Sequence, residues 1–219
     1  MTNGDISYLT IALPKGKLFD PAATMLKELG LTCENLQENS RKLVLVNETE
    51  KIKFIIVKTA DLPTYVEYGA ADIGIIGKDV LVEEAKDVYE LLDLKFGFCR
   101  LMVAVPADRQ RENLSDYANQ RVATKFTRTT DSYFRQQGMQ MEIIKLNGSI
   151  ELAPIVGLSE LIVDLVETGR TLKENNLVEI AQVSTATARL IANRVSFKMK
   201  LGRITEIVEG LRRIVESRE

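Results

Sequence analysis

Apolar positions recur along the chain with two periods, and the periods alternate. Leu9-Thr-Ile-Ala-Leu13 is a short apolar run ended by Pro14 and Gly16, which predicts a buried strand. From Leu18, apolar residues at Ala22, Leu26 and Leu29 fall at helical spacing, and Gly30 closes that helix. The β-rich runs 43–46 and 53–57 flank the polar Asn47-Glu-Thr-Glu50, which predicts a hairpin. A short helix follows from Asp61 through Val66, ended by Gly69. Residues 72–76 are another buried run, with a helix over 78–85. Strand and helix alternating over this length predict a largely parallel sheet covered on both faces.

A second set of elements begins near Leu91. Strands are predicted over 100–105, closed by Pro106, over 121–124 and over 141–146. A helix capped near Thr129 or Thr130 runs to Gly138, and a short helix covers 149–156. Residues 161–163 read as a buried strand with Asp164 at its carboxyl end, and 177–183 as the last clear strand. Residues 184–194 are ambiguous in period. From Leu201, apolar residues at Ile204, Ile207, Val208, Leu211 and Ile214 predict an amphipathic closing helix. No linker rich in Gly, Pro or Ser separates the two sets, so they read as two lobes joined by strands. There are no internal repeats and no low-complexity segments.

The most specific chemistry lies between Asp164 and the polar stretch 172–176. Thr168-Gly169-Arg170-Thr171 is a tight turn into a short helix, which gathers backbone N–H groups, two hydroxyls and a guanidinium at the positive helix end. Such a turn suits a phosphorylated sugar: amides and hydroxyls hold phosphate, and Asp164 takes a ribose hydroxyl or faces a magnesium ion. Those four residues alone would equally suit an ordinary strand–loop–helix link with a glycine at positive φ.

Composition narrows the chemistry. The 219 residues are 45% hydrophobic and 27% charged, ordinary for a globular protein of one large or two small domains. A net charge of −2 gives no reason to expect nucleic acid or an anionic membrane as partner. No apolar run approaches spanning length and the opening is not a secretory signal. Cys33 and Cys99 read as free thiols of a cytoplasmic protein, with a lone disulfide left open. The chain has no histidine. That removes the usual general base, the Ser–His and Cys–His pairs and the common zinc sites. Chemistry by positioning and charge stabilisation remains.

Over the longer stretch Glu151-Leu-Ala-Pro through Asp164-Leu-Val-Glu-Thr-Gly-Arg-Thr-Leu172, the chain closely resembles the signature of the ATP phosphoribosyltransferase family, which acts first in histidine biosynthesis. The resemblance extends to Ala12-Leu-Pro-Lys-Gly-Lys-Leu18, Asp61-Leu-Pro-Thr-Tyr-Val66, Ala71-Asp-Ile-Gly-Ile-Ile-Gly-Lys-Asp79, Cys99-Arg-Leu-Met-Val103 and Ala192-Asn-Arg194. It implies an α/β type II periplasmic-binding-protein-like fold with the ligand cleft between two lobes, divided as 1–95 with 184–219, and 96–183. It implies ATP and phosphoribosyl pyrophosphate as substrates, with magnesium carried on their phosphates.

Four positive positions then stand out. Lys17 (with Lys15 and Gly16), Arg41, Lys58 and Arg100 each also read as screened surface charges. The resemblance raises them to binders of the triphosphate and the departing pyrophosphate. Glu151, Asp164, Thr168, Gly169, Arg170 and Thr171 would bind the donor. Cys99 is expected to pack or to line the nucleotide pocket rather than act as a nucleophile, because no histidine would lower its pKa. Thr127-Arg-Thr-Thr130 reads equally as a second anion site or as a simple N-cap.

The family's long form carries a further regulatory domain. This chain, ending on one amphipathic helix, resembles the short form, which implies a homodimer within a hetero-oligomer containing a histidyl-tRNA-synthetase-like regulatory subunit. The alternatives are a non-catalytic solute-binding module of the same fold, which would not need the phosphate turn, and a phosphoribosyltransferase for another base. The common type of the latter usually has two adjacent acids before its turn, where only Asp164 stands here.

Overall fold

The computed structural model describes residues 8–40 and 42–218, so Arg41 lies outside the described residues. The chain divides into two compact units, Met1–Gly97 with Thr187–Glu219, and Phe98–Ala186.

In the first unit the strands are β1 (Leu9–Pro14), β2 (Val44–Asn47), β3 (Ile52–Val57), β4 (Ile73–Gly77), β5 (Tyr89–Asp93) and, after the excursion through the second unit, β11 (Ala188–Ala192). They form one sheet in the order β2-β3-β1-β4-β11-β5. Among the described strands, parallel pairing joins β3, β1 and β4, while β2, β11 and β5 each pair antiparallel with a neighbour. The expectation of a largely parallel sheet is therefore corrected to a mixed one. The hairpin adds β2 antiparallel at one edge, and the returning chain enters as β11 against β4, a pairing no local pattern can foretell.

The helices of this unit are α1 (Phe19–Glu28), α2 (Leu62–Glu67), α3 (Lys78–Glu84), α7 (Arg194–Met199) and α8 (Leu201–Glu216). On α1, Phe19, Ala22, Met25 and Leu26 form one buried stripe, with Asp20 in the first turn and Lys27 in the last, each favourable against the helix dipole. On α8, Ile204, Ile207, Val208, Leu211 and Val215 are buried. Close approach of α8 to the end of α1 depends on Gly210, where a Cβ would lie 2.8 Å from Leu29 Cδ2. Residues 184–194 resolve into the end of one strand, all of β11, and Asn193. That asparagine caps α7 by accepting from Val195 N and Ser196 N, and donates to Val66 O and Glu67 O at 2.9 Å each. The strand over 177–183 is thus not the last one.

The second unit holds β6 (Cys99–Pro106), β7 (Arg121–Thr124), β8 (Glu142–Lys145), β9 (Leu161–Val166) and β10 (Leu177–Ala186), with helices α4 (Thr127–Gln136), α5 (Leu152–Ile155) and α6 (Arg170–Glu174). The order is β10-β6-β9-β7-β8, parallel across β9, β7 and β8 and antiparallel at β6. One face packs Leu101, Val103, Val105, Phe126 and Phe134; the other packs Met102, Ala104, Ile162, Val166 and Leu172. Alternation of neighbours along β6 between two apolar layers is what a strand buried on both sides requires.

Three local expectations are corrected. Strand β9 runs on to Val166, so Asp164 lies inside it, opposite Met102 of β6. Helix α4 starts at Thr127, with Phe126 in the cap position; Thr130 lies inside the helix, fully buried, which replaces the cap near Thr129 or Thr130. The short helix expected over 149–156 shrinks to α5, because Ser149 has positive φ and Glu151 occupies the N-cap.

Candidate functional site

Parallel strands end side by side, and the loops that follow them are brought together at that edge. In the second unit, β7 and β9 are neighbours, with Thr124 opposite Val163. The Thr124 hydroxyl donates to Val163 O at 2.7 Å and accepts from Phe126 N at 2.9 Å. This buried side chain ties the start of α4 to the middle of β9. The 125–127 turn and the 167–169 turn therefore leave the sheet next to each other.

Beside them Asp164 is half-buried. Burial raises its carboxyl pKa from the ordinary 3.8 to about 6, the Leu165 amide at 2.8 Å opposes that, Glu151 adds to it and Lys125 offsets part of it. Asp164 and Glu151 thus act on one another across the sheet edge, with Lys125 as the nearby cation. A carboxylate held part-way out of water, without full ionic compensation, is a poor structural element and a good acceptor for hydroxyls or a hard cation. Among the described residues no trio of cysteine and carboxylate side chains gathers as a metal cage.

The turn itself is built on Gly169, in the left-handed region at φ +73°, which serves as the cap residue of α6. The Arg170 amide donates weakly to Thr168 Oγ1 at 3.4 Å. Thr168 and Thr171 are exposed at the head of the helix. Arg170 departs from expectation: its Nε pairs with Glu174 Oε1 at 2.7 Å along the helix exterior, so its guanidinium does not close on the turn. Helix spacing of four residues made that local pairing available.

Arg100 comes near this turn through its acid partner. It stands near the start of β6, not at a strand's carboxyl end, but β6 runs antiparallel to β9 and places Arg100 opposite Val166. Its Nη1 and Nη2 reach Glu179 of β10 at 2.8 and 3.2 Å, and Glu179 Oε1 lies 3.3 Å from where a Gly169 Cβ would stand. Cys99, the preceding residue, is buried opposite Ala186. Neither cysteine forms a disulfide.

In the first unit the same edge rule gathers the lysines. The 15–18 turn follows β1 and Lys58 follows β3, its parallel neighbour. Lys15 N donates to Val57 O at 2.9 Å, and the Thr59 hydroxyl donates to Lys15 O at 2.8 Å. Lys15, Lys17 and Lys58 are all exposed at this edge. Gly16, at φ +94°, presents its amide to a carboxylate of the chain itself, Glu38 Oε1, at 2.7 Å. The turn is thus already shaped to bind an anionic oxygen. Two residues passed over in the sequence, Lys125 and Glu179, stand with the candidate residues of the second unit. Lys125 directly follows a strand and was open to the same reasoning as Lys58. Glu179 is one acid in a half-buried strand, and only the pairing of β10 with β6 shows what it faces.

Comparison with known proteins identifies the family. Residues 58–213 match the family described as HisG: ATP phosphoribosyltransferase. The chain is 53% identical over 209 residues to the ATP phosphoribosyltransferase 2 of Geobacter sulfurreducens, covering 95% of this chain and 99% of that protein. In structure it is similar to a chain of the ATP phosphoribosyl transferase (HisG:HisZ) complex from Thermotoga maritima, with a TM-score of 0.81, 35% identity, and coverage of 95% of this chain and 99% of that one. The substrate binding protein of an amino acid ABC transporter shares the fold alone, at a TM-score of 0.60 and 14% identity, covering 94% and 93% of the two chains. The fold is α/β of the two-lobed, type II periplasmic-binding-protein kind, and the chain belongs to the ATP phosphoribosyltransferase family.

Proposed function

We propose that the chain is a catalytic subunit that transfers phosphoribosyl from phosphoribosyl pyrophosphate to N1 of the ATP adenine, releasing pyrophosphate, as the first step of histidine biosynthesis. The observation that carries this reading is Asp164 with its raised pKa beside the exposed Thr168–Thr171 turn, in a chain of this family. The turn amides and the Thr168 and Thr171 hydroxyls would hold the donor's 5-phosphate. Asp164 and Glu151 would accept its ribose hydroxyls. Lys15, Lys17, Lys58 and Arg41 would neutralise the triphosphate and the departing pyrophosphate, with Gly16 presenting an amide to the same anions. The attacking ring nitrogen is neutral and has its own lone pair, so no general base is required, consistent with a chain that lacks histidine. Rate enhancement would come from holding two polyanions in attack geometry and from fixed positive charge at the leaving group.

The donor set also fits magnesium. One or two carboxylates and substrate phosphates are the usual ligands of that ion, and Asp164 with Glu151 supplies such a pair. When bound, the ion would neutralise part of the pyrophosphate charge. The chain would work in the cytoplasm, where its two thiols stay reduced; among the described residues no helix is long and apolar enough to cross a membrane.

Likeness over 99% of a chain from a HisG:HisZ complex supports a hetero-oligomer with a histidyl-tRNA-synthetase-like regulatory subunit, built on a homodimer of this chain. Incubation with ATP, phosphoribosyl pyrophosphate and magnesium, with and without that subunit, should yield phosphoribosyl-ATP and pyrophosphate. Transfer to a free purine base but not to ATP would favour the other phosphoribosyltransferase reading.

A further inference from the structure

We propose that Glu179 is a positioning residue for phosphoribosyl transfer, holding the Arg100 guanidinium beside Gly169 so that its remaining N–H groups meet the donor phosphate at the turn. The inference rests on the function proposed above and adds to it a residue and a division of labour: Arg100 serves the donor rather than ATP.

The geometry is specific. Arg100 lies along its own strand, with Nη1 3.6 Å from Met102 Sδ, to reach Glu179 through both terminal nitrogens. The two-point contact fixes the plane of the guanidinium, and it uses only part of a fork that carries five N–H donors. The carboxylate that fixes it touches the turn: Glu179 Oε1 stands 3.3 Å from an added Gly169 Cβ. Gly169 is favoured by its positive φ, and an added Cβ would also press on the carboxylate. With side chains 31% and 27% exposed, the two-point pair can contribute to stability, but its placement has a further reason.

That reason is competition for the arginine. Asp164 faces Met102 on the same side of the sheet as Arg100, because residues two apart on a strand share a face. Without Glu179, Asp164 is the acid on the neighbouring strand that Arg100 can turn to. An arginine seated there would cover the carboxylate needed for ribose hydroxyls and leave the phosphate turn without its cation. In this structure the charges that act on Asp164 are Glu151 and Lys125. Glu179 therefore keeps the two halves of the donor site separate, with the cation at the phosphate and the carboxylate open to the sugar.

Steady-state kinetics on Glu179→Gln, Arg100→Lys and the double variant test this, with melting curves alongside. Glu179→Gln keeps the shape and removes the charge. It should lower kcat/KM for phosphoribosyl pyrophosphate about tenfold while the ATP KM moves less than about twofold. The double variant should be no worse than Arg100→Lys alone, since both changes break one device. Glu179→Asp, which retains the charge at a shorter reach, should recover part of the loss and serves as the test if the glutamine variant does not fold. Unchanged donor kinetics, equal losses for both substrates with a lower melting temperature, or additive losses in the double variant would each overturn the role. With the regulatory subunit present throughout, a wild type that forms no phosphoribosyl-ATP removes the proposed function and this inference together, whereas an active wild type with an indifferent Glu179→Gln removes the inference alone.

Discussion

The carboxyl of Asp164 joins stability and function in one side chain. Its pKa is raised in the folded protein, chiefly by burial, from 3.8 to about 6. The folded state therefore disfavours its charged form, so its contribution to stability is fully present below pH 3.8 and is lost as pH rises through about 6. At neutral pH the ionised group costs up to about 3 kcal/mol, from a shift of roughly two units. Asp164→Asn should raise the melting temperature at pH 7.5 and leave it unchanged at pH 3.5. Scanning calorimetry at the two values decides, and a lower melting temperature at pH 7.5 would contradict the assignment. The same ionised group is needed to accept ribose hydroxyls, so donor affinity in the wild type should increase from pH 5 to pH 7. In the asparagine variant donor affinity should be weak and flat across that range. Cys99 offers the opposite contrast. It is buried at the start of β6 opposite Ala186, and Cys99→Ser should retain most turnover; a folded but inactive serine variant would restore a role for the thiol.

At the scale of elements, what could be read from the sequence divides by the range of the forces involved. Helices α1 and α8 have apolar stripes that their own spacing reveals, β1 and β4 are short apolar runs closed by proline or glycine, and β3 is a β-rich run that follows a polar turn. Those were legible because local periodicity decides them. The turn at Gly169 was legible because positive φ, hydroxyls and a helix start occur within four residues. Strands β5 and β11, the mixed sheet and the seat of Arg100 were not, since each depends on pairing between segments far apart in sequence. Asn193 marks that boundary. Its motif was visible, but its four hydrogen bonds join α7 to the end of α2 across more than a hundred residues. Asn193→Ala removes a helix cap and strips two carbonyls of their donor, so it should destabilise the protein by about 2–3 kcal/mol. Urea unfolding monitored by circular dichroism measures this, and a loss below about 0.5 kcal/mol would show that the asparagine does not hold the two elements together.

At the scale of the whole molecule, donor binding is proposed for the second unit and neutralisation of the ATP triphosphate for the lysine edge of the first. The chain is similar over 99% of a Thermotoga maritima chain from a HisG:HisZ complex, so regulation is expected from a partner. Histidine should leave turnover of the purified chain unchanged at moderate concentration and inhibit once the synthetase-like subunit is added. Titration at fixed substrate tests it, and potent inhibition of the isolated chain, non-competitive with both substrates, would show an intrinsic allosteric site. Lys17→Ala should lower turnover more than it weakens ATP binding, because pyrophosphate gains charge as it leaves. The division of labour is tested most directly by calorimetric titration of magnesium phosphoribosyl pyrophosphate into the wild type and into Thr171→Val, which keeps the volume and deletes one exposed hydroxyl. Donor affinity should fall by at least ~1 kcal/mol, the value of a hydrogen bond to a charged group, in a protein that melts as the wild type does. Equal donor affinity in a folded Thr171→Val would contradict the placement of the donor phosphate at the Thr168–Thr171 turn.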